Sequence, residues 1–279
     1  MNKKFTLYAV ATLLSIISFQ AVAELTLGIF PRRPVAVSNK IFKPFAKELS
    51  AKIGEPVKVA FAKDFKTFWK GVKEDKYDIV HYNQYHYLLA HKEKGHQVFA
   101  VNKEQGKADI AGALTVRADS GINTIADLKG KTILFGGGKK AMGSYIAPTW
   151  ALKKAGLVAG KDYTVKFSKN PPSAVIGVFN KAADASGSGD VILKVKGVQK
   201  KIDVSQMKIL ASSDRFIHLT WAASKSVPAD KVKKIQDAMV AMSGTPVAKT
   251  ARVNGWAAAS DGDFGKVREI VKEVTGEDL

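Results

Sequence analysis

Leu25-Thr-Leu-Gly-Ile-Phe30, Val57-Lys-Val-Ala-Phe-Ala62 and Tyr77-Asp-Ile-Val80 are three short β-rich apolar runs, and the segments between them are helical in period. Pro31-Arg32-Arg33-Pro34 breaks the first strand. Ile41, Phe45, Leu49 and Ile53 then recur every four residues, and Gly54 is a helix stop. Pro44 falls inside that pattern and predicts a late start or a kink. After the second run, Phe65, Phe68, Trp69 and Val72 share one helical face; after the third, Asn83 opens a helix to about Lys94. The order β-α-β-α-β-α predicts an α/β fold built on a doubly wound, parallel sheet.

A second unit opens near Gly112-Ala-Leu-Thr-Val116. It holds strands over 132–135 and 163–167, helices over 144–154 and 173–181, and a short strand near 183–186. From Leu219-Thr-Trp-Ala222 onward helices dominate, over 229–242, 246–253 and 264–274. The first unit runs out of sheet partners after its third strand, so the C-terminal segment is expected to return to it. The expectation is two doubly wound lobes joined by a two-crossing hinge, residues 24–110 plus 219–279 against 111–218. Ligands of open parallel sheets sit at the carboxyl ends of the strands. The loops at 30–33, 63–65, 81–83, 136–144 and 186–190 should therefore converge on one cleft, which suits capture by lobe closure.

The first 23 residues read as a cleavable secretory leader: a basic Asn2-Lys3-Lys4, an apolar stretch from Phe5 to about Ser18, and Ala21-Val22-Ala23 before the cut. The chain has no cysteine, which excludes disulfides, thiolate metal sites, a cysteine nucleophile and a lipidated N-terminal Cys. Export without a lipid anchor fits the periplasm of a Gram-negative bacterium. Lys and Arg number 44 against 25 Asp and Glu. The basic residues are spread along the chain, so export and spacing together argue against nucleic acid and for a solvated surface that favours a small anionic solute.

Thr132-Ile-Leu-Phe-Gly-Gly-Gly-Lys-Lys-Ala-Met-Gly-Ser-Tyr-Ile-Ala-Pro148 carries the chemistry. A strand ends at Phe135, three glycines and Lys139 and Lys140 follow, and a helix starts near Gly143 and Ser144. Unpaired first-turn amides, the helix dipole and two ammonium groups make an anion cradle.

Taken in order, these motifs resemble the phosphate/phosphite/phosphonate-binding proteins of ABC importers, a branch of the type II periplasmic binding proteins. The matching residues are Leu27-Gly-Ile29, Phe61-Ala-Lys-Asp-Phe65, Tyr77-Asp-Ile-Val-His-Tyr-Asn83, Leu128-Lys-Gly-Lys-Thr132, Phe135-Gly136, Ser144-Tyr-Ile-Ala-Pro148 and Asn180-Lys-Ala-Ala-Asp184, spread over nearly the whole exported chain. The resemblance implies that Phe65 and Tyr82 form the aromatic part of the cleft, and that Met142, Gly143 and Ser144 hold an oxyanion through amides and hydroxyls. Three positions depart from that pattern. Ala141-Met142-Gly143-Ser144 stands for a Ser-Thr-Ser-Gly run, Phe65 for a ligand tyrosine, and Asn170-Pro171-Pro172 where relatives can carry a ligand histidine.

Other candidates follow from position alone. Arg32 and Arg33 leave the first strand and offer planar, bidentate recognition of an oxyanion. His81, Tyr82 and Asn83 leave the third strand. Ser186-Gly-Ser-Gly-Asp190 reads as a helix opening toward the same cleft, and His218 lies near the second crossing. His81, His86, His91 and His96 recur every five residues, a step that cannot place four rings on one helix face, so no metal is expected. No assembled catalytic motif is present and no cofactor is implied. The reading is a monomeric solute-binding protein that captures a small phosphonate-, phosphite- or phosphate-type oxyanion for an ABC permease. The alternatives are a binder of another small acidic organic solute and a module presenting ligand to a membrane sensor kinase.

Overall fold

The computed structural model describes residues 24–279, so the leader expected at 1–23 lies outside the described residues. The chain runs β1 (Leu25–Ile29), α1 (Val35–Ile53), β2 (Val57–Phe61), α2 (Phe65–Lys73), β3 (Ile79–Tyr82), α3 (Gln84–Lys94) and β4 (Gln97–Lys103). It continues with β5 (Asp109–Arg117), β6 (Thr132–Gly136), α4 (Ala147–Lys154), β7 (Thr164–Ser168), α5 (Pro171–Phe179), β8 (Ala185–Gly189), α6 (Lys196–Gln199) and β9 (Met207–Ile217). β10 (Thr220–Ala223), α7 (Ala229–Ala241), α8 (Pro246–Thr250), β11 (Gly255–Ala258) and α9 (Gly265–Thr275) complete it.

Two sheets result, in the orders β11-β4-β10-β3-β1-β2 and β7-β6-β8-β5-β9. β1 pairs in parallel with β2 and β3, whereas β10, β4 and β11 pair antiparallel. In the second sheet β6 is parallel to β7 and β8, while β5 is antiparallel to β8 and β9. Both sheets are thus mixed, and the chain crosses between them twice, from β4 to β5 and from β9 to β10. α2, α3 and α9 cover one face of the first sheet through Phe68, Leu88 and Ile270; α1, α7 and α8 cover the other through Phe45, Met239 and Ala248. α4 and α5 cover opposite faces of the second sheet.

α1 is continuous from Val35 to Ile53 with Pro44 inside it, without the late start the sequence predicted. Pro44 is exposed and off the buried stripe, which Ile41, Phe42, Phe45 and Leu49 hold. A second correction concerns Ser186-Gly-Ser-Gly-Asp190: residues 185–189 are the central strand β8, not a helix start. Small residues fit there because the sheet is covered on both faces, and a Cβ at Gly187 would meet Phe135 and the Ser144 carbonyl.

Candidate functional site

β6 ends at Gly136, where a Cβ would lie 2.3 Å from the Pro171 backbone, so only glycine lets α5 start so close to the strand. Gly137 then turns with φ of 96°, its amide donating to the Ser168 carbonyl at 2.9 Å. Ala141 closes the loop onto the Gly138 carbonyl at 2.9 Å. The helix that follows opens with a wide turn over Met142–Ile146: the amides of Tyr145 and Ile146 both donate to the Ala141 carbonyl, at 2.9 and 3.1 Å. It continues without a break into α4. The amides of Met142, Gly143 and Ser144 make no hydrogen bond among the described residues, and a Cβ at Gly143 would point into open space. Three free N–H groups therefore stand at the positive end of a helix.

Across from this loop stands the first turn of α3. Asn83 caps it, accepting from the His86 amide and from His86 Nδ1, both at 2.8 Å. The Asn83 amide group donates in the other direction, to the Lys140 carbonyl at 3.3 Å, and so joins the two lobes. Lys140 also places its ammonium 5.4 Å from the centre of the Tyr85 ring. Phe65 stacks on His86 at 5.0 Å and lies 6.2 Å from Phe30; at 38% exposure it is an aromatic wall left open. Burial, with Lys140 nearby, pushes the His86 pKa down to about 4, so this wall is neutral at pH 7.

This geometry can hold a small anion by amides on one side and cover it with an uncharged aromatic and amide surface on the other. The profile of the family described as "ABC transporter, phosphonate, periplasmic substrate-binding protein" matches residues 27–264. The chain belongs to this family. A phosphonates-binding periplasmic protein of Escherichia coli is 24% identical over 243 residues, which cover 84% of this chain and 72% of the relative. Two solved structures share the fold. The binding protein component of an ABC phosphonate transporter from Pseudomonas aeruginosa superposes with a TM-score of 0.73 at 19% identity, covering 88% of this chain and 85% of the other. PhnD1 from Prochlorococcus marinus, in complex with methylphosphonate, gives 0.76 at 16% identity, covering 91% and 99%.

Within this substrate-binding protein, several residues expected in the cleft are turned elsewhere. Tyr82 is fully buried on the α2/α3 face, with its hydroxyl 3.1 Å from His96 Nδ1. Strand alternation sends its neighbour His81 to the opposite face, stacked on Trp221 at 4.3 Å with Nδ1 3.0 Å from the Thr220 carbonyl. Burial and Arg32 hold His81 well below its ordinary pKa, as a neutral core histidine. The Ser144 hydroxyl is spent on the Gly136 carbonyl and fixes the loop rather than pointing outward. Ser186 is fully buried opposite Thr115, on the sheet face away from the Met142–Ile146 turn. Lys139 is exposed. Arg32 and Arg33 border a separate crevice with Phe42, His81, Trp221 and Trp256, which neither Asn83, His86 nor residues 142–144 line.

His218 belongs to the crossings. Its Nδ1 accepts from the Leu219 amide at 2.6 Å, and its Nε2 lies 3.5 Å from a carboxylate oxygen of Glu104 on the other crossing. Burial alone would raise the Glu104 pKa, but His218, Arg32 and Arg33 pull it down to about 2. Glu104 was not singled out from the sequence, and His86 entered there only as one of the histidines that recur every five residues. Asn83 followed three residues later by His86, at the end of a strand, is a capping spacing that points to His86; nothing local to Glu104 marks it.

Proposed function

We propose that this chain is the periplasmic receptor of an ABC importer and captures a phosphonate-type oxyanion, phosphite and phosphate included, between its lobes. One observation carries the reading: three unpaired amides, of Met142, Gly143 and Ser144, at the start of the helix that leads into α4, facing a neutral wall of Asn83, His86 and Phe65. Helix-terminal amides stabilise an oxyanion through directed hydrogen bonds and the helix dipole. Lys139 and Lys140 add charge at the rim, and Phe65 shapes the side that meets the organic substituent. Residues 24–110 plus 219–279 close on 111–218, a reading that the Asn83–Lys140 bond supports. No bond in the solute is made or broken. The leader at 1–23 is removed on export, no lipid anchors the product, and it delivers its solute to the permease as a monomer.

Calorimetric titration of residues 24–279 with methylphosphonate, phosphite and phosphate tests this. One saturable site for at least one of them is expected. Silence across the panel overturns the reading.

A further inference from the structure

Arg32, Arg33 and Arg252 gather around one corner of the first sheet, and none of their guanidinium groups makes an ion pair or hydrogen bond among the described residues. Burial, and then repulsion among the three, lowers the pKa of Arg33, and Glu104 is the one carboxylate among the described residues that acts on it. That carboxylate already faces His218. Three cations with one shared anion leave positive charge uncompensated at this corner, where Arg33 is half-buried and Arg32 and Arg252 are exposed.

The crevice that Arg32 and Arg33 border is rich in donors. Trp256 is 2% exposed and its indole N–H, fully buried, has no acceptor among the described residues. The one side-chain amide oxygen there, Asn102 Oδ1, already accepts from Trp221 at 2.8 Å. His81 gives Nδ1–H to the Thr220 carbonyl and is neutral, so the charge comes from the guanidiniums. The crevice holds about 10 Å³, room for a single oxygen-sized group. Arg32 also sits 5.7 Å from the Phe30 ring, and Phe30 adjoins Phe65, so the crevice opens beside the cleft wall.

We propose that Arg32, Arg33 and Arg252, with the indole N–H of Trp256, form a second anion site for a small carboxylate or oxyanion. Guanidinium forks hold such a group in a plane, and the indole N–H supplies the acceptor-seeking donor at the bottom of the crevice. The group comes either from a free anion or from a second acidic end of the captured solute.

The test is NMR of residues 24–279, which contain all four tryptophans and so give four indole N–H signals. The Trp256 signal is assigned by its loss in Trp256→Phe. Sulfate and phosphonoacetate are titrated in turn, with methylphosphonate calorimetry as the independent readout of the amide cradle. The expected result is a saturable shift of the Trp256 indole signal, weakened at least tenfold in Arg33→Gln and in Arg252→Gln, with methylphosphonate affinity changed less than threefold. A shift with sulfate supports a free-anion site. A shift with phosphonoacetate but not sulfate, at the midpoint of its heat of binding, supports a solute with two acidic groups. An indole signal unmoved by both probes overturns the second site, and it leaves the cradle standing if methylphosphonate still binds. A shift that survives unchanged in the folded arginine variants overturns it as well.

Discussion

Asn83 does two separable jobs, and replacing it in two ways tells them apart. In Asn83→Ala, the α3 amide of His86 loses its cap, worth about 1 kcal/mol. His86 Nδ1 loses its buried acceptor, about 1–3 kcal/mol more. The bond to the Lys140 carbonyl, long at 3.3 Å, contributes at the low end of about 0.5–1.5 kcal/mol. The variant should therefore unfold about 2–4 kcal/mol more easily in urea and bind methylphosphonate about two- to fivefold more weakly. Asn83→Asp keeps an acceptor at the helix start, where negative charge is favoured, so its stability should stay within about 0.5 kcal/mol of the parent. It sets a carboxylate against the Lys140 carbonyl and beside the incoming anion, and its affinity should fall by more than about tenfold, which is ~1.4 kcal/mol. Urea melts and calorimetry on the same samples give both numbers. Parental affinity in Asn83→Asp, or parental stability in Asn83→Ala, would refute this reasoning.

Gly136→Ala drives a methyl into the Pro171 backbone, which cannot swing aside as a side chain would, and should cost about 2 kcal/mol or more in urea unfolding. Phe65→Tyr adds a hydroxyl at the rim of the amide cradle and should tighten methylphosphonate binding by about fivefold, roughly 1 kcal/mol, in calorimetry. Acid should weaken the fold in two stages. His86 and His96, at about 4 when folded against an ordinary 6.5, bind protons more readily in the unfolded chain, so stability is full above pH 6.5 and is lost between pH 6.5 and 4, by up to about 3 kcal/mol for each. Glu104, at about 2 against an ordinary 4.5, adds a further loss of similar size between pH 4.5 and 2. Glu104→Gln should remove the second stage and spare the first, as read from urea midpoints across pH.

The parallel half of the first sheet was legible because each strand ends in a turn and each following helix repeats its apolar residues every four. β4 and β9 were not, since Gln97-Val-Phe-Ala-Val-Asn-Lys103 and the strand at 207–217 carry polar residues that follow no clean alternation. Their pairing comes from distant strands, β10 and β11 for the one and β5 for the other. The amide cradle was legible as glycine, then lysine, then helix start. Side-chain direction was not: Tyr82 and His81 are adjacent, yet one is held in the core by His96 and the other by Trp221. The Ser144 hydroxyl shows the same limit, because its acceptor is a carbonyl eight residues back, brought close by the loop.

The central claim is that backbone amides of residues 142–144 hold the solute. Amide NMR of residues 24–279 titrated with methylphosphonate tests it directly. The account predicts that the Met142, Gly143 and Ser144 signals move downfield together and saturate at the calorimetric midpoint. Saturable binding that leaves those three signals in place and moves another set would contradict it.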